Sequence, residues 1–535
     1  MSSSPQNPPQ RRHSGRWRWA VAIVVLGLVA VAALSIVVYR AEPTLRARVT
    51  ETLSTRFKSK VELDSFHVSV IKGLQVSGSG LRIFGETDPN NHEPGFQPII
   101  NVAEFEFHIG IHDLFHTPLH VNTVFVKGLQ LNLPPREHRS EMTNMEHKGG
   151  KIEIVVDKFD CDNAQLIINT LKPGKLPLEF NIEKLKMTTI GAGSPMHFDA
   201  KLTNPKPVGE IDSSGLFGPW QPDSPRDTPV SGTYSFDHAD LGTIKGIGGI
   251  LSSTGKYSGV LDKIVVDGST DTPDFRIAIS GRAVPLHTDF HATVDGTTGD
   301  TYLEPVKAMI LSTSVVAKGS VVRLKAPGGH RVELDVVIEK GKIEDLLKLA
   351  VRTDPPVLTG LVHLKTKFDL SPGEADVANR LKLAGNFEVS GAHFTNDKIQ
   401  DKVDALSMRS QGKPKQAQDG IPDNIHSDMK GTFRLADGRL TFSQLQFRVP
   451  GTEVSLTGTY SLDGNEFDFH GKARLDAKLS QMVTGWKKIL LKPADPFFSK
   501  NGAGTELPVK VTGTKSEPHF GTDFGHKDPA KTQAR

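Results

Sequence analysis

Two histidines and an aspartate at alternate positions are the residues of this sequence best suited to bind a metal ion. They are His287, Asp289 and His291. On a β-strand these three side chains project from the same face, where imidazole and carboxylate groups could hold zinc. The opposite face of such a strand would be apolar, with Leu286, Phe290, Ala292 and Val294. We therefore expect the three polar residues to form the solvent-exposed side of an amphipathic strand, and metal binding is the alternative.

A glycine-rich segment superficially resembles a phosphate-binding loop. Gly246-Ile247-Gly248-Gly249 precedes Gly255-Lys256. A phosphate-binding loop needs four residues between its two glycines, and a serine or threonine after the lysine. Here Ile250 occupies the position of the first glycine, and Tyr257 follows the lysine. We interpret the segment as a glycine-rich turn or a loosely packed helix, and not as a nucleotide site.

No other pattern in the sequence indicates catalysis or a cofactor. The chain contains no G-x-S-x-G, H-E-x-x-H or C-x-x-C motif, and its single cysteine, Cys161, cannot form an intrachain disulfide. The 64 Lys and Arg residues nearly balance the 61 Asp and Glu residues, so the composition does not indicate nucleic-acid binding. We predict a protein that is not an enzyme, with no catalytic, cofactor-binding or metal-binding residue.

The elements that would position side chains are mainly β-strands, because apolar residues recur at every second position in many segments. Phe105, Phe107 and Ile109 alternate with charged or polar residues, and so do Phe467 and Phe469. This alternation is typical of an antiparallel sheet with one apolar face and one wet face. We predict a mainly β fold, a twisted antiparallel sheet with a few short helices, and these five residues on apolar faces.

The N-terminal segment has the composition of a membrane anchor. Ala20 to Val38 is a run of apolar and small residues interrupted only by Ser35. About 20 residues are enough for a helix to cross the hydrocarbon core of a membrane. We therefore predict a transmembrane helix over residues 20–39, preceded by a basic tail over residues 1–19. A cleaved signal peptide is the alternative, because Ala30-Val31-Ala32 resembles a cleavage site.

A short amphipathic helix, called the neck helix below, is expected after the anchor. Pro43 suits a first helical turn, and Leu45, Val49, Leu53 and Phe57 recur every four residues on one face. The other face is basic. We expect this helix to pack on the first sheet, and the alternative is that it lies on a lipid surface.

Polar, proline-rich segments divide the remaining chain into β-rich regions. The predicted regions are residues 42–133 with the neck helix, residues 151–330, residues 331–524 and a tail over residues 525–535. The predicted linkers are Pro134 to Gly150, Asn204 to Pro229 and Ser410 to Asn424.

Short motifs at the two ends of this body resemble those of the AsmA family of bacterial envelope proteins. After the neck helix come Val61-Glu62-Leu63, Gly73-Leu74-Gln75-Val76 and Gly80-Leu81-Arg82-Ile83. At the other end come Gly502-Ala503-Gly504, Leu507-Pro508-Val509, Gly513-Thr514 and Pro518-His519-Phe520. The order of these motifs is similar to that of AsmA-like proteins.

This resemblance implies a bacterial inner-membrane anchor and a periplasmic body. It also implies an elongated β-sheet curled into an apolar groove that carries phospholipid in outer-membrane biogenesis. On this basis Phe105, Phe107, Ile109, Phe467 and Phe469 are candidates for the groove lining. Membrane lipids are the expected partners, an envelope protein is a second candidate partner, and nucleic acid is not expected. The alternative function is a non-enzymatic envelope scaffold that binds envelope proteins.

Overall fold

The protein, described by a computed structural model, is built mainly of β-strands, which confirms the predicted fold class at this level. Strands account for 67% of the structure, and helices are few and short. The described residues contain 25 strands, which belong to one open sheet of mostly antiparallel strands.

The structure describes most of the chain between residues 43 and 523. The described residues are 43, 46–47, 49–51, 53–54, 60–70, 74–84, 98–110, 119–133, 154–169, 178–191, 193–205, 207–221, 224–324, 329–352, 354–373, 375–418, 425–462, 466–484, 487, 491–498, 504–514 and 517–523. The predicted transmembrane helix, both predicted tails and the predicted linker Pro134 to Gly150 lie outside them. Among the described residues, no helix combines the length and the apolar composition that crossing a membrane requires.

Two compact units divide the chain, and the first contains Met1–Ile168 and Glu179–Ala200. Its strands are β1 (Val61–Glu62), β2 (Ser65–Ser69), β3 (Leu74–Ile83), β4 (Ile100–Ile109), β5 (Leu119–Leu133), β6 (Ile154–Ile168) and β7 (Leu178–Ile190). β8 (Met196–Pro205) contains a boundary between the units, and Leu178, the first residue of β7, belongs to the second unit. Both β1 and β2 pair with β3, and β3, β4 and β5 are antiparallel neighbours.

One strand pair in the first unit is parallel, which the prediction of an antiparallel sheet did not include. β5 and β6 run side by side in the same direction, from Leu119 opposite Ile154 to Leu133 opposite Ile168. Parallel neighbours need a connection of roughly a dozen residues or more, because the chain must return to the same end of the sheet. Residues 134–153, which connect the two strands, provide that length.

Two glycines keep the apolar residues of the first unit on one face. Gly80 in β3 and Gly128 in β5 have φ angles of +64° and +66°, a conformation that other residues rarely adopt. Past Gly80 the inward positions shift by one residue, so that Val76 and Leu81 pack in the same hydrophobic cluster. Without this shift, the apolar residues beyond the glycine would project from the opposite side of the sheet, because side chains alternate between its two sides.

The second unit contains Asn169–Leu178 and Lys201–Arg535. Its strands are β9 (Val208–Phe217), β10 (Pro229–Asp240), β11 (Ile247–Gly248), β12 (Ile250–Val260), β13 (Lys263–Ile277), β14 (Val284–Asp295), β15 (Asp300–Ile310), β16 (Thr313–Leu324), β17 (Gly329–Lys342), β18 (Leu358–Leu370), β19 (Leu381–Phe394), β20 (Ser427–Ala436), β21 (Arg439–Val449), β22 (Thr452–Ser461), β23 (Glu466–Leu475), β24 (Thr505–Thr514) and β25 (Pro518–Thr522). Every strand pair within this unit is antiparallel.

Short helices lie between the strands of the second unit. They are α1 (Ile343–Ala350), α2 (Val377–Arg380), α3 (Asp397–Ser410), α4 (Pro414–Gln418), α5 (Asp495–Phe498) and 3-10 helices at Pro225–Asp227, Leu241–Thr243, Leu479–Met482 and Lys492–Ala494. The Asn396 side chain begins α3 by accepting a hydrogen bond from the Ile399 amide. α4 lies within the predicted linker Ser410 to Asn424.

The predicted linker from Asn204 to Pro229 is wrong, because β9 occupies its centre. β9 pairs with β10, and three of its five inward positions, Gly209, Ser213 and Gly215, carry small residues that weaken the strand pattern in the sequence. A Cβ on Gly209 would lie 2.7 Å from the Phe236 ring, and Ser213 shares a 2.7 Å hydrogen bond with the Tyr257 hydroxyl. Rings from neighbouring strands thus supply apolar surface at the small residues of β9.

Candidate functional site

The first unit contains a cavity, called the apolar cavity below, between the neck helix and the sheet. Its volume of about 560 Å³ lies within the range of roughly 300–1,000 Å³ that is typical of small-molecule sites. All the residues that line it are apolar except Thr50. They are Val49, Thr50, Leu53, Val61, Leu63, Phe66, Val68, Leu74, Val76, Leu81, Val102, Phe105, Phe107 and Val126.

Strand pairing places one wall of the apolar cavity on a single face of β3, β4 and β5. Phe107 on β4 pairs with Val76 on β3. Phe105 pairs with Gly78 on β3 and Val126 on β5. The two phenyl rings are stacked, with centroids 6.3 Å apart and an angle of 15° between their planes. Two neighbouring aromatic side chains therefore form one continuous apolar surface.

Gly78 determines how close the Phe105 ring lies to the sheet. A Cβ added to Gly78 would lie 2.5 Å from Cζ of Phe105, which is too close for any side chain at that position. The missing side chain therefore lets the ring lie against the backbone of β3. A larger residue would push the ring away from the sheet and into the cavity.

The neck helix supplies the other wall of the apolar cavity. The described residues of this helix are Pro43, Arg46, Ala47, Val49, Thr50, Glu51, Leu53 and Ser54. Val49 and Leu53, from the predicted apolar face, line the cavity, and Val49 keeps 36% of its surface exposed. Leu45 and Phe57 lie outside the described residues. In its described part, the helix packs on the first sheet, as the apolar periodicity predicts.

A second cavity of about 970 Å³, called the polar cavity below, adjoins the apolar cavity in the same unit. The two cavities share the lining residues Thr50, Val61, Leu63 and Phe66. The remaining lining residues are mostly charged or polar. They are Pro43, Arg46, Ala47, Glu51, Ser54, Glu62, Asp64, Ser65, His67 and Arg82.

Ion pairs hold the charged groups of the polar cavity in place. Arg82 lies between two carboxylates, with Nη2 2.7 Å from Oδ1 of Asp64 and Nε 3.0 Å from Oε2 of Glu62. Hydrogen bonds from Lys60 and Arg82 lower the pKa of Glu62, and those to Asp64 and Glu62 raise the pKa of Arg82. Arg46 instead donates to backbone carbonyls, including that of Asp64 at 3.1 Å.

The second unit, taken by itself, carries a row of aromatic rings on one face of its sheet. The row contains Phe387 of β19, Phe433 of β20, Phe442 of β21 and Phe469 of β23. Ring centroids are 6.2 Å apart from Phe387 to Phe433 and from Phe387 to Phe442, and 5.8 Å apart from Phe442 to Phe469. All four rings are half-buried. These residues are called the aromatic face below.

Glycines on neighbouring strands support the aromatic face in the same way as Gly78 supports Phe105. Phe469 pairs with Gly458, where a Cβ would lie 2.7 Å from Cδ1 of the ring. Phe387 pairs with Gly431, where a Cβ would lie 2.9 Å from Cε1 of the ring. The rings therefore lie close to the backbone and present a broad apolar surface.

The five residues predicted to lie on apolar faces occupy three different environments. Phe105 and Phe107 line the apolar cavity. Ile109 is buried opposite Leu74 and is not one of the lining residues. Phe469 belongs to the aromatic face, and Phe467 projects to the same side, with its ring centroid 6.4 Å from that of Tyr460. The sequence did not single out Phe387, Phe433 and Phe442, although apolar and polar residues alternate around each of them.

The three metal-ligand candidates lie on one face of β14, where acidic residues of β13 contact the two histidines. His287 Nδ1 is 2.6 Å from Oδ1 of Asp271, and His291 Nδ1 is 2.7 Å from Oδ1 of Asp267. The hydrogen bond to Asp271 raises the pKa of His287. Asp289 Oδ1 lies 3.4 Å from His287 Nε2. Within the described part of the chain, no three His, Cys, Asp or Glu side chains are arranged to hold a metal ion.

The glycine-rich segment from Gly246 to Lys256 forms strands, and its interpretation as a turn or a loosely packed helix is therefore wrong for most of its length. β11 and most of β12 lie within it. Gly249, with a φ angle of +125°, forms the bend between the two strands. Glycine fits this strand because the Tyr234 ring occupies the space of a side chain at position 255. A Cβ on Gly255 would lie 2.6 Å from that ring.

Comparison with protein-family models, with curated proteins and with solved structures gives no match to this chain. Three features of the described residues bear on its function. They are the apolar cavity, the adjoining polar cavity and, separately, the aromatic face of the second unit.

Proposed function

We propose that this chain is an inner-membrane-anchored periplasmic protein of outer-membrane biogenesis that binds phospholipid by its acyl chains. The observation that carries the proposal is the apolar cavity lined by Phe105 and Phe107. Its ligand must be apolar, because a polar group buried without a hydrogen-bond partner costs roughly 1–3 kcal/mol. The resemblance to the AsmA family and the predicted transmembrane helix over residues 20–39 support the placement in the bacterial envelope.

Removal of apolar surface from water would supply the binding free energy. Each methylene group that leaves water contributes about 0.8 kcal/mol. Phe105 and Phe107 are half-buried, so an acyl chain that lies along the stacked rings would remove apolar surface of the rings and of the chain from water. The aromatic face of the second unit supports the same chemistry, because its rings are only half-buried and an apolar sheet face left partly open to solvent is typical of an interaction surface. We propose that each such face, within its own unit, lines an apolar groove for phospholipid.

A non-enzymatic scaffold that binds envelope proteins is the second candidate function. It is favoured by the packing around α1, where Ile343, Leu346 and Leu347 cover a core that includes Ile338 and Val389. Apolar surface in this part of the second unit is closed by ordinary side-chain packing. A protein partner could close the aromatic face in the same way. Neither candidate function includes a catalytic step, a cofactor or nucleic acid.

Lipid analysis of the purified full-length protein tests the proposal. We expect phospholipid to be extracted from it in stoichiometric amount, and delipidated protein to take up phospholipid from liposomes. A transmembrane anchor would retain lipid by itself, so the matched control is the same chain with a carboxylate in the cavity, Phe107→Asp. If wild type and this variant both carry no more lipid than an unrelated single-pass protein, the scaffold function becomes the better conclusion.

A further inference from the structure

We infer that the polar cavity binds the headgroup of a phospholipid whose acyl chains enter the apolar cavity, and that it favours a zwitterionic headgroup. The ligand class is a phospholipid that carries both a phosphate and a primary ammonium group. The inference rests on the proposed function and adds a selectivity to it. Both cavities belong to the first unit.

The two cavities differ in polarity and share a wall. Thr50, Val61, Leu63 and Phe66 line both of them. On one side of these residues the lining is apolar, and on the other it carries arginines and carboxylates. A phospholipid has the same division, with acyl chains attached to a charged headgroup. One amphipathic molecule therefore matches both cavities.

Arg46 is the residue best placed to bind the phosphate. Its guanidinium group carries five N–H donors, more than its hydrogen bonds to the backbone carbonyls of Leu63 and Asp64 require. Those two carbonyls hold the side chain at the cavity wall without neutralising its charge. Arg82, in contrast, lies between the carboxylates of Glu62 and Asp64. Arg46 is therefore a phosphate ligand in this scheme, and Arg82 positions the two carboxylates.

The acidic residues of the polar cavity favour an ammonium group. Its lining contains the carboxylates of Glu51, Glu62 and Asp64 together with the two arginines. With Lys60, which pairs with Glu62 at 2.6 Å from outside the lining, three cations balance the three carboxylates, so a headgroup that carries only negative charge would gain less from this site than a zwitterion. An ammonium group would instead find carboxylate acceptors close to the site of its own phosphate. This complementarity selects a zwitterion over an anion.

A competition experiment on the full-length chain tests this selectivity. Delipidated protein is mixed with vesicles that contain equal amounts of phosphatidylethanolamine, phosphatidylglycerol and diacylglycerol, and the retained lipid is measured by mass spectrometry. We expect the ethanolamine lipid to be retained over the glycerol lipid by roughly fivefold to tenfold, and diacylglycerol to be retained least. A parallel arm offers soluble glycerophosphoethanolamine, which shares the headgroup but lacks the chains and should not be retained.

Two variants assign the roles of the charged residues. Arg46→Gln should reduce retention of both phospholipids relative to diacylglycerol, because it removes the phosphate ligand. Asp64→Asn should reduce the preference for the ethanolamine lipid, because it removes one ammonium acceptor with little change of shape. Arg331→Gln is the matched control, since it breaks an ion pair with Asp369 at 3.0 Å in the second unit. Thermal melts of all variants verify folding.

The outcomes separate this inference from the proposed function. Equal retention of the three lipids, unchanged by Arg46→Gln in folded protein, would overturn headgroup binding and leave acyl-chain binding intact. Retention of soluble glycerophosphoethanolamine as strong as that of the lipid would assign the polar cavity to a soluble ligand instead. Retention of no lipid at all would overturn both proposals.

Discussion

Replacement of Phe107 with aspartate should separate lipid binding from folding most clearly. Phe107 lines the apolar cavity, and its ring stacks on that of Phe105 at a centroid distance of 6.3 Å. A carboxylate at this position would lie among lining residues that are all apolar except Thr50. It would find no cationic partner in that lining. An acyl chain in the cavity would then remove the carboxylate from water.

The expected loss of binding follows from the different solvation of the carboxylate in the lipid-free and the lipid-bound protein. Phe107 is half-buried, so water can reach a carboxylate there when no lipid is bound. A bound acyl chain would exclude that water, and burial of an unpaired charge costs several kcal/mol. With a cost of about 3 kcal/mol, phospholipid binding should weaken by roughly 100-fold. Loss of ring packing and stacking should also lower the free energy of unfolding, by about 2–3 kcal/mol.

The assay is transfer of a fluorescent phospholipid from donor vesicles to full-length protein, measured over a range of protein concentrations. Phe107→Leu keeps the site apolar and should bind lipid nearly as well as wild type. Thr123→Asp is the charge control, because Thr123 pairs with His108 and alternates with Val124, which places it on the opposite face. Its binding should stay within about threefold of wild type, as expected for a surface substitution.

Two results would refute this reasoning. If Phe107→Asp melts cooperatively and still takes up phospholipid like wild type, acyl chains do not enter the apolar cavity. If Phe107→Asp and Thr123→Asp lose binding equally, the effect comes from net charge and not from the cavity. Loss of folding in Phe107→Asp is detected by its melt, and Phe107→Ala then tests the contact without adding charge.

Three further predictions concern packing, pH and thiol reactivity. Gly458→Ala should lower the free energy of unfolding by about 1–3 kcal/mol, because its Cβ would clash with the backbone oxygen of Asp468 and lie 2.7 Å from the Phe469 ring, and denaturant titration measures this. The hydrogen bond to Asp523 raises the pKa of His470 above its usual 6.5. The folded pKa therefore exceeds the unfolded one, so this stabilisation is complete below about pH 6.5 and is lost as pH rises through the folded pKa, which melting temperatures should report. Burial raises the pKa of Cys161 to about 11, so a maleimide should label it only after unfolding.

Each of these predictions has a matched control. Gly521→Ala should be tolerated, because the nearest atoms to its Cβ would be those of Lys510 at 3.7 Å or more. His470→Gln should flatten the pH dependence of the melting temperature, and an unchanged dependence would show that another group causes it. Equal labelling of Cys161 in native and unfolded protein would contradict its burial. If the two glycine variants melt alike, steric contact of the added Cβ with the strand backbone and the Phe469 ring does not limit stability.

Local sequence patterns predicted which side chains share a face of the sheet. Phe105 and Phe107 were expected on one apolar face, and their rings stack there. The same reasoning failed at β9, because its inward positions include Gly209 and Ser213, which lie beneath rings from neighbouring strands. The burial of an apolar residue can be predicted from the residue type itself. The burial of a glycine beneath a ring depends on an aromatic residue that is distant in sequence. For that reason the linker predicted at Asn204 to Pro229 was wrong.

The mainly β class and the amphipathic neck helix could be derived from the amino-acid order alone. Alternation with a period of two, and recurrence every four residues, are properties of a strand or a helix by itself. Other contacts are decided only in the folded chain. They are the parallel pairing of β5 and β6, the contacts of glycines with the rings of Phe105 and Phe469, and the hydrogen bond from Arg46 to the carbonyl of Asp64. These contacts join segments that are far apart in sequence. Their partners are set by strand order and register, which a local periodicity does not encode.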